Sequence, residues 1–484
     1  MTTEREYQER RRRHPSFRSA PLPRRRRGNP WGTWACVLFL AAVAFLTARP
    51  TWLNNQVLPH LLQALAQGDW DKLPAPPSVI LTKRVANPTP GATAALDTAR
   101  GLELDRVASG LVYEGDSVEE LANRLRPHAQ TEGEKARLIY SWIGQHIGYD
   151  VALAERKTGR DLRPETTLRK KETICSGYAY LYQELAKELG IEAVIVEGYG
   201  RGGSSLVGDD PEVNHAWNAV KIGTGWHLLD VTWGAGSVNN DQFQRRYSPY
   251  YFATAPQQLI YSHFPRESQW QLLSAPYDRA AFDSLPQISP RFFQDRLALN
   301  AQVTSTLTLA GNGSLAISAP ETVQLSAQLR TPDGEELSSE YILIQRRGTQ
   351  ATVNLAAPGV GAFQLILFSK RPQEELYQQA LILNLEASKA GTPFPTTFGT
   401  FNEKQAYLQQ PLTQTLPLYH SAYFQLQVKG ARQVMVLNQE TQEWTALDRH
   451  GDYFTGTSLI KPGKTQVLAR FDEGNRYWSL LEYN

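Results

Sequence analysis

The spacing of apolar residues changes period several times along this chain. Residues 31–48, WGTWACVLFLAAVAFLTA, form an uncharged run long enough to cross a bilayer, with Trp31, Trp34 and Trp52 placed as interfacial anchors. Helical spacing over 50–73 is broken by Pro59, and the Pro-, Ala- and Thr-rich stretch 74–100 reads as a spacer. Near 105 the helical pattern strengthens. Ser117-Val118-Glu119-Glu120 matches a capping box ahead of Leu121 and Leu125. Ala136, Ile139, Tyr140, Ile143 and Ile147 predict a helix over 132–147. After a polar loop, 155–172, the spacing of Leu181, Leu185, Ala186 and Leu189, closed by Gly190, predicts a helix starting at Cys175. Period-two patterns then predict strands at Glu192–Tyr199, 215–222 and 226–233. Helices followed by an antiparallel sheet make the fold class α+β.

Beyond about 280 the pattern is short alternating runs between Gly, Pro, Asn and Asp turns: Thr304–Leu309, Val323–Leu329, Tyr341–Ile344, Ala351–Leu355 and Phe363–Phe368. Regular strands of this kind predict a β-sandwich of immunoglobulin-like size over 281–390. Asn312-Gly313-Ser314 fits a glycosylation sequon, but Asn-Gly also makes a hairpin turn, the preferred reading. Gly391–Thr400 reads as a linker, and Tyr423–Val428, Gln433–Leu437, Gln466–Phe471 and Trp478–Leu481 predict a second all-β module within 391–484. The expected divisions are thus a tail (1–30), an anchor (31–49), a helical segment and spacer (50–104), an α+β domain (105–280) and two β modules.

Charge sharpens the N-terminal reading. The chain of 484 residues carries a net +2, but residues 1–30 hold ten Arg against three Glu, so the remainder is mildly acidic at −5. That body has no nucleic-acid footprint. The Arg-rich tail reads as disordered, and its place before the apolar run puts it in the cytoplasm and everything after Arg49 outside, in a periplasm or at a cell surface. A cleaved signal peptide and a buried soluble helix compete. The long basic region and the lack of a clean A-x-A site favour an uncleaved anchor. Two cysteines, Cys36 and Cys175, cannot build a disulfide framework.

Cys175 opens its helix, where free N–H groups and the positive dipole end favour a thiolate; a buried structural cysteine is the plain alternative. A thiolate nucleophile needs an imidazole to share its proton and a carboxylate or amide to orient that ring. His215 sits on the strand Asn214–Val220, and Asp230 lies on the strand that returns after Gly223-Thr224-Gly225. If paired residue numbers sum to 445, through a two-residue loop at 222–223, His215 faces Asp230 directly. A sum of 447, through a four-residue loop at 222–225, makes them diagonal neighbours on one face, whereas 448 separates the faces. His227 has the wrong parity and reads as structural. Trp217, Trp226, Trp233, Tyr250 and Tyr251 read as core and cleft wall. Gly198–Gly203 follows a strand but no helix opens after it, which excludes a dinucleotide loop. Asp209, Asp210 and Glu212 could bind calcium, but a solvated acidic loop is the commoner case, and no cofactor or metal is expected.

CSGYAYLYQELAKELGIEAVIVEGYGRG, with NHAWNAVKI and GWHLLDVTWGAG, resembles the transglutaminase-like superfamily. EKARLIYSWIGQHIGYD upstream and YYFATAPQQLIYSHFPRESQWQLL downstream are similar to the bacterial relatives of its kyphoscoliosis-peptidase branch. The resemblance covers roughly 110–275. It implies a papain-like fold, with the cysteine helix packed on an antiparallel sheet, and it maps nucleophile, base and orienting carboxylate onto Cys175, His215 and Asp230. It aligns no oxyanion side chain; Tyr149 and Gln145 are the candidates, with Trp217 at the cleft. The expected function is a membrane-anchored, extracytoplasmic thiol enzyme that cleaves or transfers amide acyl groups of a protein or peptide substrate, hydrolysis being slightly favoured. The competing expectation is a scaffold whose β modules hold a cell-wall or surface partner.

Overall fold

The computed structural model describes residues 98–156, 158–201, 213–300 and 302–484. The Arg-rich tail, the apolar run 31–48, the spacer and the acidic trio Asp209, Asp210 and Glu212 lie outside the described residues. Among the described residues, no helix is long and apolar enough to cross a membrane.

Helix α1 (Thr98–Gly110) begins seven residues before the boundary expected at 105 and is part of the first domain, because Leu104 and Ala108 are buried in its core. Helices α2 (Val118–Leu125) and α3 (Glu132–His146) follow. Ser117 caps α2 by accepting from the Glu120 N–H, but the Glu120 carboxylate turns to the Tyr113 hydroxyl, so the expected box is half made. The full box forms one helix later. Thr131 Oγ1 accepts from the Glu134 N–H and the Glu134 carboxylate accepts from the Thr131 N–H. Ala136, Leu138, Ile139, Tyr140, Trp142 and Ile143 are all buried on α3, the central helix of this core. The loop expected over 155–172 contains α5 (Pro164–Lys170), after the short α4 (Val151–Glu155).

Helix α6 (Cys175–Glu188) buries Tyr178, Leu181, Tyr182, Leu185 and Ala186. It ends in a Schellman turn: Gly190 takes φ +72°, the Ile191 N–H donates to Ala186 O, and the Gly190 N–H donates to Lys187 O. Five antiparallel strands lie beside it: β1 (Ala193–Gly200), β2 (His215–Ile222), β3 (Gly225–Leu229), β4 (Phe252–Thr254) and β5 (His263–Pro265), in the order β4-β3-β2-β1-β5. Asn218 on β2 donates to Ala179 O of α6, whereas Trp217 and Ala219 point into a second cluster with Val196, Leu228 and Leu259 on the other face.

The next domain has two layers, as an immunoglobulin-like sandwich requires. One comprises β6 (Ala298–Leu299), β8 (Asn312–Ser318), β11 (Gln350–Ala356) and β10 (Ile342–Arg347); the other β7 (Thr306–Ala310), β13 (Gln378–Lys389), β12 (Gly361–Lys370) and β9 (Gln324–Arg330). Ala310 pairs with Asn312 and joins the layers at one point. The turn there is at Gly311, φ +93°, not at Asn312-Gly313. Asn312 belongs to β8, and its amide holds the backbone of Thr392.

The C-terminal module packs a five-stranded sheet and a four-stranded one around Phe401, Phe424, Phe454, Val467 and Tyr483. The stretch 391–400, expected as a linker, is built into it. Phe394 is buried in this core, its N–H donates to Glu340 O of the sandwich domain, and Thr396–Thr397 pairs with the strand Trp478–Tyr483.

Candidate active site

Cys175 is the first residue of α6, after Ile174, whose side chain supplies no cap, so the site begins at a helix start with free N–H groups. The thiol is half-buried. Gly177 permits this turn, since a Cβ there would stand 1.9 Å from Thr173 Oγ1.

The hairpin takes the register that sums to 447. Asn218 pairs with Leu229 and Ile222 with Gly225, leaving Gly223-Thr224 as the loop, two residues shorter than the one expected for this register. Asp230 is not part of the returning strand. Its Oδ1 accepts from the Trp233 N–H and caps a short helix, α7 (Val231–Ala235). Its Oδ2 remains free to face the sheet and lies 2.8 Å from His215 Nε2. His215 and the Ala216 N–H both act on the Cys175 thiol, favouring its thiolate.

Both partners depart from their ordinary protonation. Burial pushes the Cys175 thiol up, but the His215 hydrogen bond and charge, with the Ala216 N–H, outweigh it, and the thiol lies below its usual range. Burial works against a charged His215, yet the Asp230 carboxylate and the Cys175 thiolate raise its pKa to about 10. The fully buried Asp230 is pushed up by desolvation and pulled further down by His215 and His263, so it stays ionised. The favoured state is therefore thiolate, imidazolium and carboxylate in a row.

The further candidates separate. Tyr149 pairs with Thr173 through the short parallel ladder that ends just before Cys175. Its phenol is raised to about 12 by burial and then by the charge of Cys175. Gln145 is committed elsewhere, since its amide donates to Asp105 O on α1. Trp217 is fully buried and forms no cleft wall. It stacks behind His215 at 5.8 Å, and it borders a small pocket shared with Leu228, Leu259, Trp270 and His263. Its Nε1 has no hydrogen-bond partner among the described residues.

Sequence reasoning missed His263. Its Nε2 lies 2.8 Å from the same Asp230 Oδ2 that serves His215, and its Nδ1 lies 2.8 Å from Ser262 Oγ. A three-residue edge strand carries it, and its pairing partner across the ladder, Gly200, is 63 positions away, so no local pattern marks it. His215, Asp230 and His263 bring ligand atoms within 4.8 Å of one another, near enough to hold a divalent cation. Hydrogen bonds already account for each of these contacts. Asn214 was also unmarked; its amide bonds both the N–H and the carbonyl of Gly200 and fixes the entry to β2.

A family model described as the transglutaminase-like superfamily matches residues 119–231, the span that holds Cys175, His215 and Asp230. A second, described as the KY-like, immunoglobulin-like domain, matches 279–397. The chain is similar to the kyphoscoliosis peptidase of Homo sapiens, 25% identical over an alignment that covers 80% of this chain and 77% of that one. It is similar to the kyphoscoliosis peptidase of Mus musculus, 30% identical over 59% of this chain and 43% of that one. Hillarin of Drosophila melanogaster is 27% identical over 57% of this chain and 37% of its own. These are animal proteins, and they give no support to a particular closeness to bacterial members of the branch. The chain accordingly carries a transglutaminase-like superfamily domain followed by an immunoglobulin-like domain of the KY-like kind.

Proposed function

We propose that this protein is a thiol enzyme acting on amide bonds of a protein or peptide substrate, with Cys175 as nucleophile, His215 as proton carrier and Asp230 as the group that orients and charges the imidazole. The observation that carries the reading is the 2.8 Å contact between His215 Nε2 and Asp230 Oδ2, with the same imidazole acting on the Cys175 thiol. The Cys175 thiolate attacks the carbonyl carbon and forms a C–S bond. As the tetrahedral adduct collapses, the C–N bond breaks and the His215 imidazolium passes its proton to the departing amine. Neutral His215 then takes a proton from water, the oxygen attacks the thioester, and collapse expels Cys175 thiolate beside imidazolium again. An acceptor amine in place of water gives transfer. Hydrolysis is the favoured outcome, in keeping with the peptidase names of two relatives. The N–H groups at the start of α6 are the donors for the oxyanion, with Tyr149, on the strand opposite Thr173, as the side-chain candidate.

The test is the rate of Cys175 alkylation by iodoacetamide across pH 4–10. Wild type is expected to show a reactive thiolate well below pH 9, and His215→Ala to need a pH near the ordinary cysteine value. Equal rates in the two proteins at pH 6 would sink the proposal.

A further inference from the structure

The Asp230 carboxylate is completely buried, yet three N–H groups converge on it. The Trp233 N–H serves one oxygen; His215 Nε2 and His263 Nε2, each at 2.8 Å, share the other. An ionised carboxylate only accepts, so both imidazole nitrogens facing it carry hydrogens. That assignment leaves Nδ1 of a neutral His263 as an acceptor, and the Ser262 hydroxyl, whose other acceptor is Leu259 O at 3.2 Å, is placed to donate to it at 2.8 Å. Burial holds His263 in the neutral state this network needs.

We propose that His263 is a positioning residue: it holds the buried Asp230 carboxylate ionised and aimed at His215, and through it sustains the thiolate at Cys175. This inference rests on the catalytic reading of Cys175 and His215 given above.

The fold builds His263 into place. Gly200 of β1 pairs with His263 of β5, and the ring of His215 lies against the same glycine, 3.1 Å from where a Cβ would stand. The two imidazoles thus flank one glycine, with ring centres 5.5 Å apart. Trp233 at 4.4 Å and Trp217 at 5.0 Å enclose the His263 ring, which fixes the direction of its Nε2–H. The other titratable groups acting on Asp230 besides His215, His263 and Cys175 are the phenols of Tyr140, Tyr149, Tyr178 and Tyr251, all held neutral by burial. Among the described residues His263 is the one side-chain donor to Asp230 besides His215, so it is the neutral donor left on the carboxylate when His215 gives up its proton.

Loss of that donor raises the proton affinity of Asp230 and lets the carboxylate turn. The imidazolium then loses support, and Cys175 requires a higher pH to ionise. A charge-assisted hydrogen bond of this kind corresponds to a shift of about one pH unit, or about tenfold in thiolate population on the acid limb. The experiment measures iodoacetamide alkylation of Cys175 against pH in wild type, His263→Phe, His263→Gln, Ser262→Ala and His215→Ala, with circular dichroism of each protein. His263→Phe is expected to move the midpoint up by about one unit. His263→Gln, whose amide nitrogen replaces Nε2, is expected to restore most of it, and Ser262→Ala to shift it less, in the same direction.

A folded His263→Phe with an unmoved midpoint would overturn the proposal, as would a His263→Gln no better than His263→Phe, which would make the effect one of volume. If His263→Phe does not fold, Ser262→Ala decides: an unmoved midpoint overturns the proposal and an upward shift supports it. Wild type reacting like His215→Ala would remove the catalytic reading itself; activation by His215 with indifference to position 263 would remove only this inference.

Discussion

Cys175 and His215 exchange a proton when the chain folds, and stability should record it. In the unfolded chain the imidazole titrates near 6.5 and the thiol near 9.0. Folding raises the first to about 10 and lowers the second. The raised His215 stabilises fully below pH 6.5, and this contribution fades as pH climbs toward about 10. The lowered Cys175 stabilises fully above 9.0 and less as pH falls. Above 9.0 the unfolded pair holds no proton while the folded pair keeps the one on His215 until about 10, so stability should fall there by about 1.4 kcal/mol per pH unit while the pair is the dominant titration. Urea unfolding from pH 5 to 10 checks this, with Cys175→Ala plus His215→Ala expected to flatten that alkaline fall. Identical curves for the two proteins would refute the ion pair. Gly198 makes a second test at this scale. A Cβ there would come within 2.3 Å of Phe264 O and 2.6 Å of Trp217. Since backbone must move, Gly198→Ala should destabilise by about 3 kcal/mol and slow alkylation of Cys175.

At the scale of elements, the chain's own signals were strong where the contacts are local. The α6 helix, its Cys175 start and its Gly190 stop all follow from spacing within sixteen residues. The half-made box at Ser117 shows what defeats such a signal: Tyr113 offers its hydroxyl to Glu120, and the Ser117 N–H bonds that hydroxyl too. Thr131 keeps its box although the Gln130 N–H and Arg100 also donate to the Glu134 carboxylate, because the two carboxylate oxygens accept all three donors. Thr131→Ala should cost about 1 kcal/mol in urea unfolding and leave the α3 fold intact. No change in midpoint would mean that burial alone holds that helix. The strand expected over 226–233 ended early for a similar reason. Asp230 hydrogen-bonds the Trp233 N–H and starts a helical turn, which removes it from the ladder and leaves its second oxygen for the histidines.

For the whole molecule, the transglutaminase-like domain and the sandwich each have a separate core, and the sandwich also contains a buried charge cluster. Asp295, with no exposed side chain, accepts from Arg291, Arg371 and Ser369. Arg291→Met should lower the stability of the sandwich by about 3 kcal/mol, because it strands part of that charge, while alkylation of Cys175 stays at the wild-type rate. A joint loss in both readouts would show the two domains to be coupled. Fold class and the helix that bears Cys175 could be read in the sequence because each rests on periodicity. The His215–Asp230 pair was expected from the hairpin register, but the contact forms from a helical turn that takes Asp230 off the ladder. Tertiary structure alone brought β5 beside β1 and so set His263 on the carboxylate that Asp230 shares with His215. It alone turned the expected linker 391–400 into core and removed Gln145 from the site. Those outcomes depend on residues tens of positions apart meeting in space, which spacing along a chain does not encode. The sulfur at the start of α6 is legible in one dimension; the network that keeps it charged exists only in three.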